Sequence, residues 1–285
     1  VTASRRGAAS YDQVAQASAA AVIEGYSTSF GWATRLLHPP VRTHVRNIYA
    51  LVRVADEIVD DPEPALSVEL RAEVLDGLES EVARAVRTGR SANLVVHAFA
   101  LTARRYGIEA DLIEPFFAAM RADLTESEHD QASLETYVHG SAEVVGLMCL
   151  RVFVGGDETA YQRLAPGAAR LGAAFQKVNF LRDLAADHDT LGRSYLPGID
   201  LAHITDAQRD AVLDDLDADL EAAHRVIGEL PPSSRTAVRA AHDLFAALSR
   251  RLRQTPAAQL RTTRVRVGDL EKARIVLRAV LGGRS

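Results

Sequence analysis

The stretch Val52–Pro62, VRVADEIVDDP, sets charged side chains into an otherwise apolar helical run. At about 100° per residue, Tyr49, Arg53, Asp56 and Asp60 fall within an arc of about 60°, with Glu57 beside it. Ile48, Leu51, Val52, Val54, Ala55, Ile58 and Val59 cover most of the remaining surface. Taken alone, this face also fits a partly exposed helix carrying an Arg53–Glu57 pair, worth roughly a few tenths of a kcal/mol. Asp61, next to Pro62, reads as a helix end.

A second stripe changes the reading. In AAFQKVNFLRDLAADHDTLGRSYLP, Gln176, Asn179, Asp183 and Asp187 fall within an arc of about 80°. Phe175, Val178, Phe180, Leu181 and Leu184 surround them, and Arg182, off the stripe, is long enough to swing towards it. Carboxylates four residues apart repel unless a cation sits between them. Oxygen donors from Asp and Asn suit a hard divalent ion, Mg²⁺ above all and Mn²⁺ in its place, with phosphate oxygens completing the shell. Arg53 and Arg182 supply the positive charge that a diphosphate requires. Two such helices across an apolar cavity describe a site for ionising a prenyl diphosphate.

The wider sequence is compatible with that site. The chain has 285 residues, 47% hydrophobic, so it can bury a large core. A net charge of −5 with pI ≈ 6.0 argues against a nucleic-acid partner. The lone Cys149 excludes an intrachain disulfide framework and reads as a buried thiol. No run approaches the roughly 18 apolar residues of a membrane span. VTASRRGAAS lacks the apolar segment of a signal peptide, so a cytoplasmic protein is expected. There is no H-x-H, H-E-x-x-H, G-x-G-x-x-G, Walker or G-x-S-x-G signature.

Ala, Leu, Arg and Glu dominate, and β-branched alternation is absent. The pattern predicts helices over 11–25, 28–37, 41–60, 65–88, 92–106, 109–125, 133–154, 157–188, 206–229, 232–254 and 268–281. Pro39-Pro40, Pro62, Pro64, Pro197 and Pro231-Pro232 fall between them. One all-α domain spanning 1–285 is expected, with flexible ends at 1–10 and 282–285.

These motifs resemble the squalene/phytoene synthase family of head-to-head prenyl synthases. Tyr49-x-x-x-Arg53-x-x-Asp56-x-x-x-Asp60 is similar to its first motif, and Gln176, Asn179, Arg182, Asp183 and Asp187, followed by GRSYLP, to its second. YSTSFGWATRLL resembles the segment near the diphosphate, at Tyr26, Ser27, Thr28, Ser29 and Phe30; Ser27 and Ser29 also suit helix caps. YVHGSAEVVGLM supplies Tyr137, Gly140, Ala142, Val145 and Gly146, and RTTRVRVGDLEKAR the basic residues Arg264 and Lys272. Where many members carry Tyr, this chain has Ala247, with Phe245 as a candidate replacement.

The resemblance implies the all-helical isoprenoid synthase fold around a central apolar cavity. It also implies two allylic diphosphates bound together, with Mg²⁺ on Asp56, Asp60, Asn179, Asp183 and Asp187. Arg53, Arg182, Arg264 and Lys272 would spread the charge of the leaving diphosphate. The released diphosphate or a Tyr hydroxyl, with Tyr49 and Tyr137 as candidates, would remove the protons, while His139 and His188 read as hydrogen-bonding or surface groups. ADEIVDDP, GSAEVVGLMCL and the compact loop DHDTLGRSYLP look most like bacterial phytoene synthases. The expected reaction is therefore condensation of two geranylgeranyl diphosphates to phytoene, without NADPH. Alternatives are farnesyl diphosphate coupling to dehydrosqualene or squalene, transfer to a small aromatic acceptor in room opened by Ala247, and a silent prenyl-diphosphate-binding subunit. Phe30, Trp32, Val145 and Leu147 are candidates for setting chain length. VLRAVLGGRS carries no anchor, and transient contact with a membrane surface is expected for release of an apolar product.

Overall fold

A computed structural model describes residues 9–26, 29–60, 66–183, 195–199 and 203–282, and all side chains within them except those of 29, 30 and 32. Among the described residues there is no strand. The helices are α1 (Tyr11–Tyr26), α2 (Ser29–Arg35), α3 (Pro39–Val59), α4 (Val68–Thr88), α5 (Leu94–Tyr106), α6 (Ala110–Thr125) and α7 (Gln131–Val138). They continue with a π turn (His139–Glu143), α8 (Val144–Phe153), α9 (Glu158–Arg182), α10 (Asp206–Ile227), α11 (Pro232–Gln254) and α12 (Asp269–Gly282). The residues expected to form flexible ends lie largely outside the described range.

Short polar residues start these helices by accepting orphan backbone N–H groups. Ser67 caps α4, Asn93 caps α5 and Asp157 caps α9, while Asp130 and Thr205 form capping boxes before α7 and α10. α4 and α5 stop at Gly89 and Gly107, both left-handed (φ 81° and 67°). The prolines do more than separate helices: Pro39 opens α3 and Pro232 opens α11, where a missing N–H costs nothing.

One face of α3 buries Val45, Ile48, Leu51, Ala55 and Val59. It packs against α1, α5, α6 and α8, and Phe99, Phe116 and Phe117 are fully buried in the same core. α9, 25 residues long, lies along α10, α8 and the π turn.

Two departures from the predicted helices bear on the site. The helix expected over 133–154 is divided by the π turn. There two glycines admit neighbouring backbones: a Cβ on Gly140 would stand 2.3 Å from the Pro115 carbonyl oxygen, and one on Gly172 only 2.5 Å from that of Ala142. The helix expected over 157–188 ends at Arg182, with Asp183 as its C-cap (φ −102°, ψ 12°); residues 184–188 lie outside the described range. α3 ends in the same way on Asp60 (φ −104°, ψ 5°). Each cap N–H still bonds the carbonyl four residues back, on Asp56 and Asn179, at 2.8 Å.

Candidate active site

Both acidic helix ends open onto one cavity of about 540 Å³. Its polar lining includes Tyr49, Arg53, Asp56 and Asp60 from the α3 side, Gln176, Asn179, Arg182 and Asp183 from the α9 side, and Arg264. The remaining wall is mostly apolar, built from residues such as Leu37, Val45, Val145, Phe153, Leu164 and Leu230.

The arginines and carboxylates are already engaged with one another. Arg53 pairs with Glu57 through Nη2, so the i,i+4 contact anticipated for an ordinary surface helix does form. Its guanidinium also lies over the Tyr26 ring, 4.6 Å from the centroid. The Nε of Arg53 is nevertheless buried and has no hydrogen-bond partner. A buried donor left in this way suits an incoming phosphate oxygen. Asp183 accepts from Arg182 (Nε 3.1 and 3.2 Å, Nη2 2.5 Å) and forms an ion pair with Arg264, whose Nε lies 2.9 Å from Oδ1.

Asp56 keeps some accessible surface on the cavity wall. Its carboxyl is still packed deeply enough that burial, reinforced by Asp60, pushes it up to about 8. Arg53 opposes that shift, and Asp123 adds to it. A carboxyl whose proton is held by burial and a like-charged neighbour fits a site that a divalent cation enters. Asp56 and Asp60 therefore have the right donors. Of the five ligands expected from the sequence, Asp56, Asp60, Asn179 and Asp183 line this one cavity. Among the described residues no three carboxylate, imidazole or thiol side chains converge as a metal site. Asp183 is committed to two guanidinium groups, and Asp187, with His188, lies outside the described range.

Other expected residues separate clearly. Tyr26 is 55% exposed and does not line the cavity. Lys272 is also absent from the lining: it sits in the first turn of α12, where Asp269, three residues earlier, holds its Nζ at 3.4 Å. Ser27 and Thr28, and the side chains of Ser29, Phe30 and Trp32, fall outside the description. Val145 lines the cavity, whereas Leu147 packs in the surrounding core. Ala247 is 1% exposed in that core and not on the cavity wall, so it opens no room for an acceptor. Phe245 instead stacks on the cavity-lining Phe175, with ring centroids 3.7 Å apart. Cys149 lines the cavity as a thiol that burial pushes up to about 12. His139 pairs with Glu143 at the surface.

Sequence reasoning missed Asp123, and gave Tyr195 no role of its own. Tyr137 donates to Asp123 Oδ2 at 3.0 Å, and Tyr195 donates to Oδ1 at 2.8 Å. All three line the cavity. Burial raises the Tyr137 phenol well above its ordinary value, with the Asp123 charge second. Tyr195 stacks against both Tyr137 and Phe180, at centroid distances of 5.1 and 4.7 Å. A signal was present in the sequence. Asp123 falls three and seven residues after Met120 and Phe116, on the apolar face of the predicted helix over 109–125. An acid there demands a partner.

Comparison with known proteins identifies the family. Residues 23–271 match squalene/phytoene synthase. The chain belongs to the squalene/phytoene synthase family. Members of this family are prenyltransferases that take prenyl diphosphates. A bifunctional lycopene cyclase/phytoene synthase of Blakeslea trispora is 28% identical over 91% of this chain, which spans 48% of that protein. Phytoene synthase 3 of Zea mays is 31% identical over 65% of the chain, covering 44% of its own length. A 15-cis-phytoene synthase of Paracoccus is 29% identical, with 82% of this chain and 80% of that one aligned. The chain thus spans about half the length of the first two of these relatives. A dehydrosqualene synthase structure superposes with a TM-score of 0.81 at 18% identity, covering 96% of this chain and 98% of that one. Squalene synthase from Alicyclobacillus acidocaldarius gives 0.74 at 20% identity, over 85% and 94%. At those identities the likeness shows the family's all-α isoprenoid synthase fold.

Proposed function

We propose that the protein joins two geranylgeranyl diphosphates head to head, through a cyclopropyl diphosphate, to give phytoene without a reductant. The observation that carries this reading is the meeting of the α3 and α9 ends, acidic and basic together, on one apolar-walled cavity. The phytoene synthase relatives support the choice of substrate.

The proposed metal ligands are Asp56 and Asp60 on one side and Asn179, Asp183 and Asp187 on the other. Bound there, Mg²⁺ or Mn²⁺ supplies charge neutralisation for the departing diphosphate. Arg53 offers its unpartnered Nε to phosphate, and Arg182 and Arg264 turn from Asp183 towards it. Gln176 and the segment Ser27–Phe30 complete the proposed substrate contacts, while Tyr26 packs its ring against the Arg53 guanidinium. Lys272 is left out of this set, because the structure keeps it with Asp269. The allylic cation released from the first substrate alkylates the double bond of the second, and loss of one proton closes the ring. Loss of the second diphosphate then rearranges that ring, and loss of a second proton ends the sequence. Tyr137 can take a proton at Oη while its own hydroxyl proton passes to Asp123. The apolar wall keeps water from the cations.

The test is incubation of the purified protein with Mg²⁺ and either geranylgeranyl or farnesyl diphosphate, with and without NADPH, followed by identification of the hydrocarbon. Phytoene from the C20 substrate without NADPH is expected. A C30 product formed only from farnesyl diphosphate, a need for NADPH, or no turnover of either substrate would overturn the reading.

A further inference from the structure

α12 is apolar on two opposite faces. Ile275 and Ala279 point into the core at 9% and 1% exposure. On the other side Leu270, Leu277 and Leu281 are 79%, 57% and 57% exposed. At about 100° per residue these leucines fall within an arc of about 40°, directly opposite Ala279. Arg274 and Arg278, both exposed, line one flank of that stripe. Single exposed leucines on a soluble protein are ordinary, but three in register on one helix face, flanked by arginines, form a surface.

The helix is firmly seated. Arg251 on α11 binds Glu271 through Nε and Nη2 (3.0 and 2.6 Å) and the Arg266 carbonyl through Nη1 at 3.2 Å. Val265 and Val267, both buried, pin the segment that leads into it. That same segment carries Arg264, which lies on the cavity wall and holds Asp183. The stripe is thus fastened to the site by a short, anchored connection.

We propose that this outward face of α12 docks onto an anionic lipid bilayer. Leucines on one face with arginines along its edge are the pattern of a helix lying in the membrane interface, the arginines meeting lipid phosphates. The chain as a whole carries −5, so a cationic flank selects this face for approach to a negative surface. The inference rests on the reading above in one respect: prenyl substrates and a hydrocarbon product would be exchanged with such a bilayer.

Co-sedimentation with phosphatidylcholine vesicles, with and without 30% phosphatidylglycerol, tests the docking with no substrate present, so its failure leaves the reaction assay untouched. The wild type should pellet with the anionic vesicles and be released by high salt. Replacing Arg274 and Arg278 by Gln should weaken that binding by roughly fivefold per arginine, and Leu270, Leu277 and Leu281→Ser should abolish it. Both variants should keep the wild-type circular dichroism and melting curve, since all five side chains are exposed. Binding by the serine variant equal to wild type, or no binding by the wild type, would overturn the proposal. So would a wild-type dimer in sedimentation velocity that the serine changes convert to monomer, because the stripe would then be a protein interface.

Discussion

Asp56 and Asp123 carry the consequences that a single residue can test. The Asp56 carboxyl, at about 8 in the folded protein against 3.8 in its absence, is held protonated chiefly by burial and then by Asp60. A raised acid favours the fold while it is protonated. Its contribution is therefore fully present below about 4 and is lost as pH rises through about 8. The metal-free protein should accordingly melt lower at pH 9 than at pH 6. Mg²⁺ should raise the melting temperature more at pH 9, and Asp56→Asn should remove both effects. A melting temperature with the same Mg²⁺ response at both values would show that Asp56 does not meet the cation. Asp123→Asn keeps the shape but loses the charge that two phenols share. Turnover should fall at least tenfold, with a stability loss of about 1–3 kcal/mol. The Asp56 transition should also move to lower pH, because Asp123 helps to raise it. Unchanged turnover and an unmoved transition would reduce Asp123 to a packing residue.

At the scale of elements, the π turn is the feature on which the site depends. Tyr137 lies just before it, while Ser141 and Ala142 within it and Val145 beyond it line the cavity. Gly172 lets α9 come within a carbonyl's reach of that turn. Gly172→Ala should therefore destabilise the fold by about 1–3 kcal/mol, read from urea unfolding, even though alanine is the better helix former. A stabilised Gly172→Ala protein would mean that the two backbones can separate freely. The turn was not legible in the sequence, since YVHGSAEVVGLM reads as unbroken helix and only contacts from α6 and α9 show why its glycines are there. The helix bodies were legible because their apolar faces recur at helical spacing. The ends of α3 and α9 were placed too far along, because Asp60 and Asp183 continue each stripe on paper while standing as caps in space.

For the whole molecule, spacing alone showed that Arg53, Asp56, Asn179 and Asp183 belong together, since both stripes share one chemistry. Which group faces which was not readable. Arg264 and Asp183 are far apart in sequence and meet only because the segment before α12 folds back onto the end of α9. Asp123 was overlooked because its partners, Tyr137 and Tyr195, come from two other parts of the chain. Lys272 differs for a local reason: Asp269, three residues earlier on the same helix, lies within 3.4 Å of its Nζ.

The cap positions of Asp60 and Asp183 have one more consequence. A helix that ends leaves its last carbonyls unsatisfied and carries about half a negative charge there. Two helices end at this cavity, so the backbone adds to the negative potential of the carboxylates. An α-helix beginning at the same place would have favoured a bare phosphate; two ending there favour a cation. The polarity of the main chain thus adds to the negative potential that Arg53, Arg182 and Arg264 offset on the same cavity wall.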